Sequence, residues 1–216
     1  MPFGLFRRKP ASPAASEAAG AASRALPGGR PIPFEALTEE WRLRGSMHVE
    51  GRLSDALNRR EPLQISDVRW GPAGADGELE PAGFEVVDPY DLVLVITGPT
   101  SLPVLTDAER VAFKVHKIAF DVALEAPPYR VIGTVYLYPG SDPDRLLDRS
   151  TEMFVPVADA VAYLGEQRVS GEDEDTILLN RFYLRGIGQI DKRTGERPAS
   201  LPGQPLGGIS WQDRSR

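Results

Sequence analysis

Two stretches of this 216-residue chain carry the same order of short sequence features. Each has an apolar segment, a strand-like segment with a central glycine, a short helical segment and further apolar segments. Five pairs of segments align, with a two-residue loop insertion after the first pair: 33–37 with 119–123, 41–49 with 129–137, 55–59 with 145–149, 63–68 with 155–160, and 91–94 with 176–179. Such an internal repeat predicts two folding units of similar architecture in tandem.

The segments within each stretch are typical of β-strands. They are short, rich in β-branched and aromatic residues, and separated by Gly, Pro, Asp and Asn. Four or five such strands in about 70 residues are too few for a sandwich and fit a small barrel. Helix is predicted only at 55–58 and from Thr106, where Thr106 and Glu109 have capping-box spacing. We therefore predict a mainly β fold of two tandem small β-barrel-like units, with one or two short helices and disordered tails.

Composition sets the boundaries of these units. Residues 11–30 include eight Ala and only one bulky apolar side chain, and residues after 192 are rich in Pro and Gly, so neither end can offset the entropy of ordering. The predicted organisation is a disordered basic Ala/Pro-rich tail at 1–30, a first β-barrel unit at 31–101, a helical or loop connector at 102–117, a second β-barrel unit at 118–192, and a flexible Pro/Gly-rich tail at 193–216.

The second stretch has strands that are apolar on both sides. Val131, Val135 and Leu137 alternate with apolar neighbours, and residues 154–164 show the same pattern. A barrel needs one apolar face for its own core, so the other face predicts an interface between the units or between subunits, unless the tails or the connector cover it. The residues predicted to bind a partner through that face are Ile132, Tyr136, Tyr138 and Phe154.

Three segments of the second stretch resemble the Sm-like small-barrel family. They are Gly-Thr-Val at 133–135, Phe-Val-Pro-Val-Ala-Asp-Ala at 154–160 and Thr-Ile-Leu-Leu-Asn-Arg-Phe at 176–182. The resemblance implies small barrels that assemble into rings, usually of six or seven copies. It also implies binding of single-stranded RNA through an Asn in the turn before the third strand and an Arg after the fourth.

The matching RNA-binding positions are divided between the two stretches. The first has Asn58 but Ile96-Thr97-Gly98 at the Arg position, and the second has Arg181 but Asp148 in place of Asn. With the neighbouring basic pair, the candidate nucleic-acid contacts are Asn58, Arg59, Arg60 and Arg181. The charge argues against this partner: the net charge is −6, and five cations against one anion in residues 1–30 leave −10 on the remainder.

No residue pattern predicts catalysis, a metal or a cofactor. The chain has no Cys, its only histidines are His48 and His116, and neither lies in a metal-binding motif. The acidic run 172–175 lacks the spacing of a calcium loop, and no glycine pattern fits a phosphate. We therefore assign no catalytic, metal or cofactor residue.

The sequence predicts a cytoplasmic protein. Its longest apolar run, 92–96, is far below the roughly 18 residues of a membrane span, and polar residues interrupt the segment where an export signal would lie. The N-terminal segment combines apolar and basic side chains that could make weak peripheral contact with a membrane: Phe3, Leu5, Phe6, Arg7, Arg8 and Lys9.

The leading functional hypothesis is a non-enzymatic adaptor or assembly module. It would bind protein partners, or copies of itself, through the second β unit. Two alternatives remain open at this point: an Sm-like RNA-binding module and an enzyme whose site lies between the units.

Overall fold

The computed structural model describes residues 29–75, 77–98, 101, 117–148, 152–170 and 176–191. Several predictions lie outside these residues: both tails and the N-terminal membrane contact, the helix from Thr106, and the acidic run 172–175. We call 29–98 the N-terminal half and 117–191 the C-terminal half.

Strands dominate the described residues, which confirms the prediction of a mainly β protein. Within these residues the structure has one α-helix, at the first predicted position, and 3-10 turns at Pro89–Asp91 and Pro143–Leu147 among others. The elements in chain order are β1 (Arg30–Leu37), β2 (Trp41–Val49), α1 (Leu53–Asn58), β3 (Leu63–Gln64), β4 (Ser66–Pro72), β5 (Glu80–Pro81), β6 (Val86–Val87), β7 (Leu94–Thr97), β8 (Ile118–Ala126), β9 (Tyr129–Leu137), β10 (Phe154–Leu164), β11 (Gln167–Arg168), β12 (Thr176–Asn180) and β13 (Gly186–Gln189).

Eleven strands form one antiparallel sheet that does not close on itself. Its order is β13-β8-β9-β10-β12-β7-β1-β2-β4-β5, with β11 beside β10, while β3 and β6 form a separate pair. The sheet is continuous because β7 of the N-terminal half pairs with β12 of the C-terminal half, where Ile96 lies opposite Ile177. The prediction of two tandem small β-barrel-like units is therefore not confirmed, and the domain boundaries stay predictions.

The central strands are buried on both faces, because each face meets a different hydrophobic core. Leu94 and Ile96 of β7 belong to the core of the C-terminal half, whereas Val95 belongs to the core of the N-terminal half. In β12, Leu178 packs into the core of the N-terminal half, whereas Ile177 and Leu179 pack into the core of the C-terminal half. The apolar residues on both faces of β7 and β12 are thus buried within one chain, and each such buried side chain contributes about 1.5–3 kcal/mol.

A glycine lies at the centre of the second strand in each half, where another strand approaches closely. A Cβ added at Gly45 would lie 2.6 Å from Cγ2 of Ile65, and one added at Gly133 would lie 2.6 Å from Cγ1 of Val157. No side chain fits at either place, so the requirement for glycine comes from the crossing strand.

Each of these crossing strands contains an irregularity at a matching place. The register shifts in β4 and again in β10, and Asp67 and Asp159 at these places have φ of 54° and 47°. Positive φ is uncommon for residues other than glycine, although Asp adopts it more readily than most. The recurrence of this bulge is a local geometric similarity between the halves.

Strand registers give a different alignment of the halves from the sequence comparison. Phe34 lies opposite Gly45 and Val122 opposite Gly133, so one offset relates both strands of the two hairpins and no loop insertion is needed. The alignment of 91–94 with 176–179 is also replaced, because β7 pairs with the first strand of its half whereas β12 pairs with the third strand of its own. Internal duplication itself remains a prediction.

We expect Gly133→Ala to lower the free energy of unfolding by about 1–3 kcal/mol, since its methyl group has to displace packed atoms of β10. Urea denaturation followed by circular dichroism measures this loss. Gly98→Ala is the matched control because its added Cβ meets nothing within 4 Å. Equal losses in the two variants would contradict the packing explanation.

Candidate functional site

The residues that the sequence divided between two RNA-binding sites meet at one place, at the start of β10. The Asn58 side chain donates to the carbonyl of Phe154 (3.2 Å) and accepts from its N–H (2.8 Å). The backbone N–H of Arg181 donates to the carbonyl of Met153 (2.8 Å). Asn58 at the end of α1 therefore holds Phe154, the first residue of β10, and the loop after β12 holds Met153 directly before it.

The polar groups at this place bind the protein's own backbone. Nη1 of Arg181 donates to the carbonyl of Asp148 at 2.9 Å, and burial lowers the pKa of the Arg181 guanidinium from its usual value. The side-chain amide of Asn58 likewise forms both of these hydrogen bonds with the backbone of Phe154. Asn58 thus joins the two halves and Arg181 binds within the C-terminal half, whereas Arg59 and Arg60 are exposed.

Two loops at this place present stacked aromatic rings. Oδ1 of Asp88 accepts from the N–H of Tyr90 (2.9 Å), and Oδ1 of Asn180 accepts from the N–H of Phe182 (3.0 Å). Each bond opens a turn, and the two rings stack with centroids 5.8 Å apart. The guanidinium of Arg60 lies over Phe182, 5.8 Å from its centroid. Sequence reasoning missed this pair, although an Asp or Asn two residues before an aromatic residue was a usable turn signal.

The four residues predicted to bind a partner do not form one surface. Tyr136 and Tyr138 are 50% and 58% exposed, and Ile132 is half-buried. Nζ of Lys117 lies 5.2 Å from the ring centroid of Tyr138. Phe154 is fully buried in the core of the N-terminal half, so it packs between the halves and has no exposed surface to offer another molecule.

A second set of contacts between the halves lies at the β1–β2 turn. The hydroxyl of Tyr129 donates to the carbonyl of Thr38 at 2.5 Å, and this ring is only 1% exposed. Burial raises the pKa of Tyr129 to about 12. Buried Arg42, whose Nε lies 3.5 Å from the Glu35 carboxylate, donates through Nη2 to the carbonyl of Val169.

Several short strands have a partner on one side only in the part of the chain that the structure describes. β13 pairs only with β8 and β6 only with β3, and β3, β5 and β11 also have one partner each. The edge of β13 reads Gly-Ile-Gly-Gln and carries no charge, and Val86 of β6 is 50% exposed. Unpaired N–H and C=O groups on such uncharged edges favour the addition of another strand.

Three aromatic side chains form a cluster on the surface of the N-terminal half. Trp41 stacks on Trp70 with ring centroids 4.5 Å apart, and Phe84 meets Trp70 edge-on at 5.9 Å. Trp70 packs against the core, while Trp41 and Phe84 are 37% and 36% exposed. We call these residues the Trp41 cluster; the sequence analysis did not identify it.

Among the described residues no helix is long and apolar enough to cross a membrane, and no three His, Asp or Glu side chains lie close enough together to hold a metal ion. Comparisons of the chain with protein-family models, curated proteins and solved structures found no match.

Alkaline pH should destabilise the protein through Tyr129. Its pKa is about 12 in the folded state and 10.0 when unperturbed, so the stabilisation is complete below pH 10 and is lost as the pH rises through 12. The loss should be on the order of 2 kcal/mol. Tyr129→Phe should flatten the dependence of unfolding free energy on pH between 10 and 12, leaving a smaller slope from Tyr183, whose pKa burial also raises. An unchanged slope in Tyr129→Phe would contradict this assignment.

Asn58→Ala should lower the free energy of unfolding by about 1–3 kcal/mol, because the buried N–H of Phe154 loses its acceptor. Chemical denaturation measures the change. Arg59→Ala is the control, since it removes an exposed neighbouring side chain. A loss of stability no greater for Asn58→Ala than for Arg59→Ala would show that the bond between α1 and β10 contributes nothing.

Proposed function

We propose that the protein is a non-enzymatic assembly module. It associates with copies of itself by pairing strand β13 of one copy with strand β6 of the next. The observation that carries the proposal is the β7·β12 pairing, in which an edge of the N-terminal half is already joined to an edge of the C-terminal half.

β7 and β13 occupy corresponding places in the two halves. Each pairs with the first strand of its half: Leu94 lies opposite Leu37, and Gly186 lies opposite Glu125. The preceding N–H groups agree as well, since that of Val93 donates to Leu37 and that of Arg185 donates to Glu125, both at 2.8 Å. β13 is therefore the counterpart of a strand that has a partner on its other side.

β6 and β12 correspond in the same way. Val87 of β6 lies opposite Leu63 in the third strand of its half, and Leu179 of β12 lies opposite Val155. Inside the chain β12 pairs with β7, so β6 and β13, which each have one partner among the described strands, are the counterparts of a pair that this sequence already forms. This correspondence also supports the proposal that the halves arose by duplication of one unit.

The internal pair gives the register expected between copies. Leu94 lies opposite Leu179, and Ile96 lies opposite Ile177. Transferred to the free edges, Gly186 of one copy would face Val87 of the next, and Gly188 would face Glu85. Because the two edges differ, the contact is head-to-tail, and repetition gives a ring if the rotation closes and a filament if it does not.

Removal of one edge donor should abolish the assembly. Ile187 of β13 corresponds to Val95 of β7, and Val95 lies opposite Leu178 in the β7·β12 pair. By this correspondence the N–H of Ile187 points to the free side of β13. Ile187→Pro deletes that N–H at an edge position where proline is tolerated. We expect the wild type to elute as a multiple of the chain mass by size-exclusion chromatography with light scattering, and Ile187→Pro as a single chain.

Ile187→Ala is the matched control for this experiment. It loses the side chain that packs against the C-terminal core but keeps the N–H, so it should remain assembled. A wild type that is monomeric at all concentrations, or two variants that dissociate equally, would reject strand pairing through β13.

Cysteine cross-linking tests the register directly, because the chain contains no native Cys. In the Glu85→Cys, Gly188→Cys double variant the two thiols should form a disulfide between copies on oxidation, giving covalent dimers and larger species on a non-reducing gel. Neither site is crowded: Glu85 is exposed, and a Cβ at Gly188 meets nothing within 4 Å. Glu85→Cys with Gly186→Cys is the off-register control, with its Cα atoms about 7–8 Å apart, too far for a disulfide.

RNA binding is the second candidate function. The exposed Arg60 over Phe182, with Tyr90 stacked on the same ring, offers an aromatic and basic surface of the kind that single-stranded nucleic acid uses. Asn58 and Arg181, however, direct their polar groups to the protein backbone. A nuclease-sensitive absorbance at 260 nm in the same elution peak would favour this function over assembly alone.

A further inference from the structure

Two aromatic residues at corresponding places differ sharply in exposure. Trp41 opens β2 directly after the β1–β2 turn, and Tyr129 opens β9 directly after the β8–β9 turn. Tyr129 is 1% exposed, whereas Trp41 is 37% exposed. The N-terminal half therefore presents to solvent an aromatic ring whose counterpart in the C-terminal half is covered.

The cover over Tyr129 is the hairpin turn of the other half. The hydroxyl of Tyr129 donates to the carbonyl of Thr38 in the β1–β2 turn. Leu37 and Ala73 of the N-terminal half belong to the same core cluster as Tyr129. Nearby, Nε2 of Gln167 donates to the carbonyl of Gly74 at 2.7 Å. The turn that closes the first hairpin thus covers the aromatic residue that opens the second strand of the other hairpin.

We propose that the Trp41 cluster is the receptor for the β8–β9 turn of a second copy of this chain, whose tip is Pro127-Pro128. This inference rests on the proposed self-assembly and names its second contact. The indole N–H of Trp41 donates to the carbonyl of Ala126 of the second copy, as the hydroxyl of Tyr129 does to Thr38 within the chain. Both prolines are exposed in the single chain. In the proposed contact, the prolines of the second copy pack on the stacked rings of Trp41 and Trp70.

The direction of this contact agrees with the strand pairing. Within the chain, the N-terminal half supplies both β7 and the covering turn, and the C-terminal half supplies both β12 and Tyr129. In the proposed contact between copies, the C-terminal half of one copy takes the role that the N-terminal half has within the chain. It supplies both β13 and the turn 126–129. The N-terminal half of the next copy supplies both β6 and Trp41. One placement of the second copy therefore satisfies both contacts.

Further exposed aromatic and apolar residues of the N-terminal half lie in or beside β6, the strand proposed to pair with β13 of another copy. Phe84 lies two residues before β6, Val86 lies in it, and Tyr90 follows it; they are 36%, 50% and 44% exposed. By register Val86 corresponds to Leu178, which is 3% exposed at the internal junction. A Trp–Pro contact at the centre of such a surface has the composition of an interface hot spot, since aromatic rings dominate binding energy there.

A photo-cross-linker in place of Trp41 tests the contact. p-Benzoylphenylalanine is introduced at Trp41 of the full-length chain, mixed with isotope-labelled chain without the cross-linker, and irradiated. Mass spectrometry should find attachment to residues 126–128 of labelled chain. The same cross-linker at Tyr136, which is exposed and lies away from this contact, is the control and should give no such product.

Substitutions at Trp41 give a second, quantitative readout. Trp41→Ala should raise the concentration at which half of the assembly dissociates by about 30-fold or more. Trp41→Tyr, which installs the residue type found at the corresponding place in the C-terminal half, should stay within about threefold of the wild type. Thermal unfolding of both variants verifies that each is folded.

The outcomes separate this inference from the proposed function. If the Glu85–Gly188 disulfide forms but the cross-linker attaches elsewhere, to the chain's own residues 1–28 or 192–216 included, assembly stands and the Trp41 contact is rejected. If neither the disulfide nor a cross-link between copies forms, self-assembly itself is rejected. Equal affinity of wild type and Trp41→Ala also overturns the contact.

Discussion

The pairing of β7 with β12 determines the rest of this structure. Four residue pairs join the halves there and make one sheet of what would otherwise be two. Because the joined strands lie between two cores, they are apolar on both faces, and Val95 and Leu178 pack into one core while Ile96 and Ile177 pack into the other. Separation of the halves would expose one apolar face of each strand to water, which is the main physical reason that they stay together.

Polar contacts then fix how the halves meet. Buried backbone groups need partners, and the side chain of Asn58 supplies them for Phe154, while Asn180 donates through Nδ2 to the carbonyl of Leu92 at 2.8 Å. Hydrophobic burial is non-directional, whereas these bonds require one placement of the loops. The stacked rings of Tyr90 and Phe182 lie where these loops converge.

A junction of this kind links architecture to function. The chain contains one completed contact between its halves and, in its described residues, the two unpaired edges that would complete a second. Trp41 and Phe84 are exposed on the N-terminal half, where the counterpart of Trp41 in the other half is covered. Self-assembly accounts for the free edges of β6 and β13 and for these two exposed rings together, which is why we prefer it to a function based on the basic residues alone.

The alternation of apolar residues and the spacing of turn residues determined the mainly β fold, the short helix at α1 and the strands with a central glycine, because these depend on local sequence and on the two-residue period of a strand. The two-sided strands also predicted an interface. Only the tertiary structure decided that Phe154 lies inside the chain, that the sheet is continuous and open, and that Asn58 binds backbone. Strand partners and register depend on contacts between residues far apart in sequence, and alternating apolar patterns are compatible with several registers until the cores and loops select one.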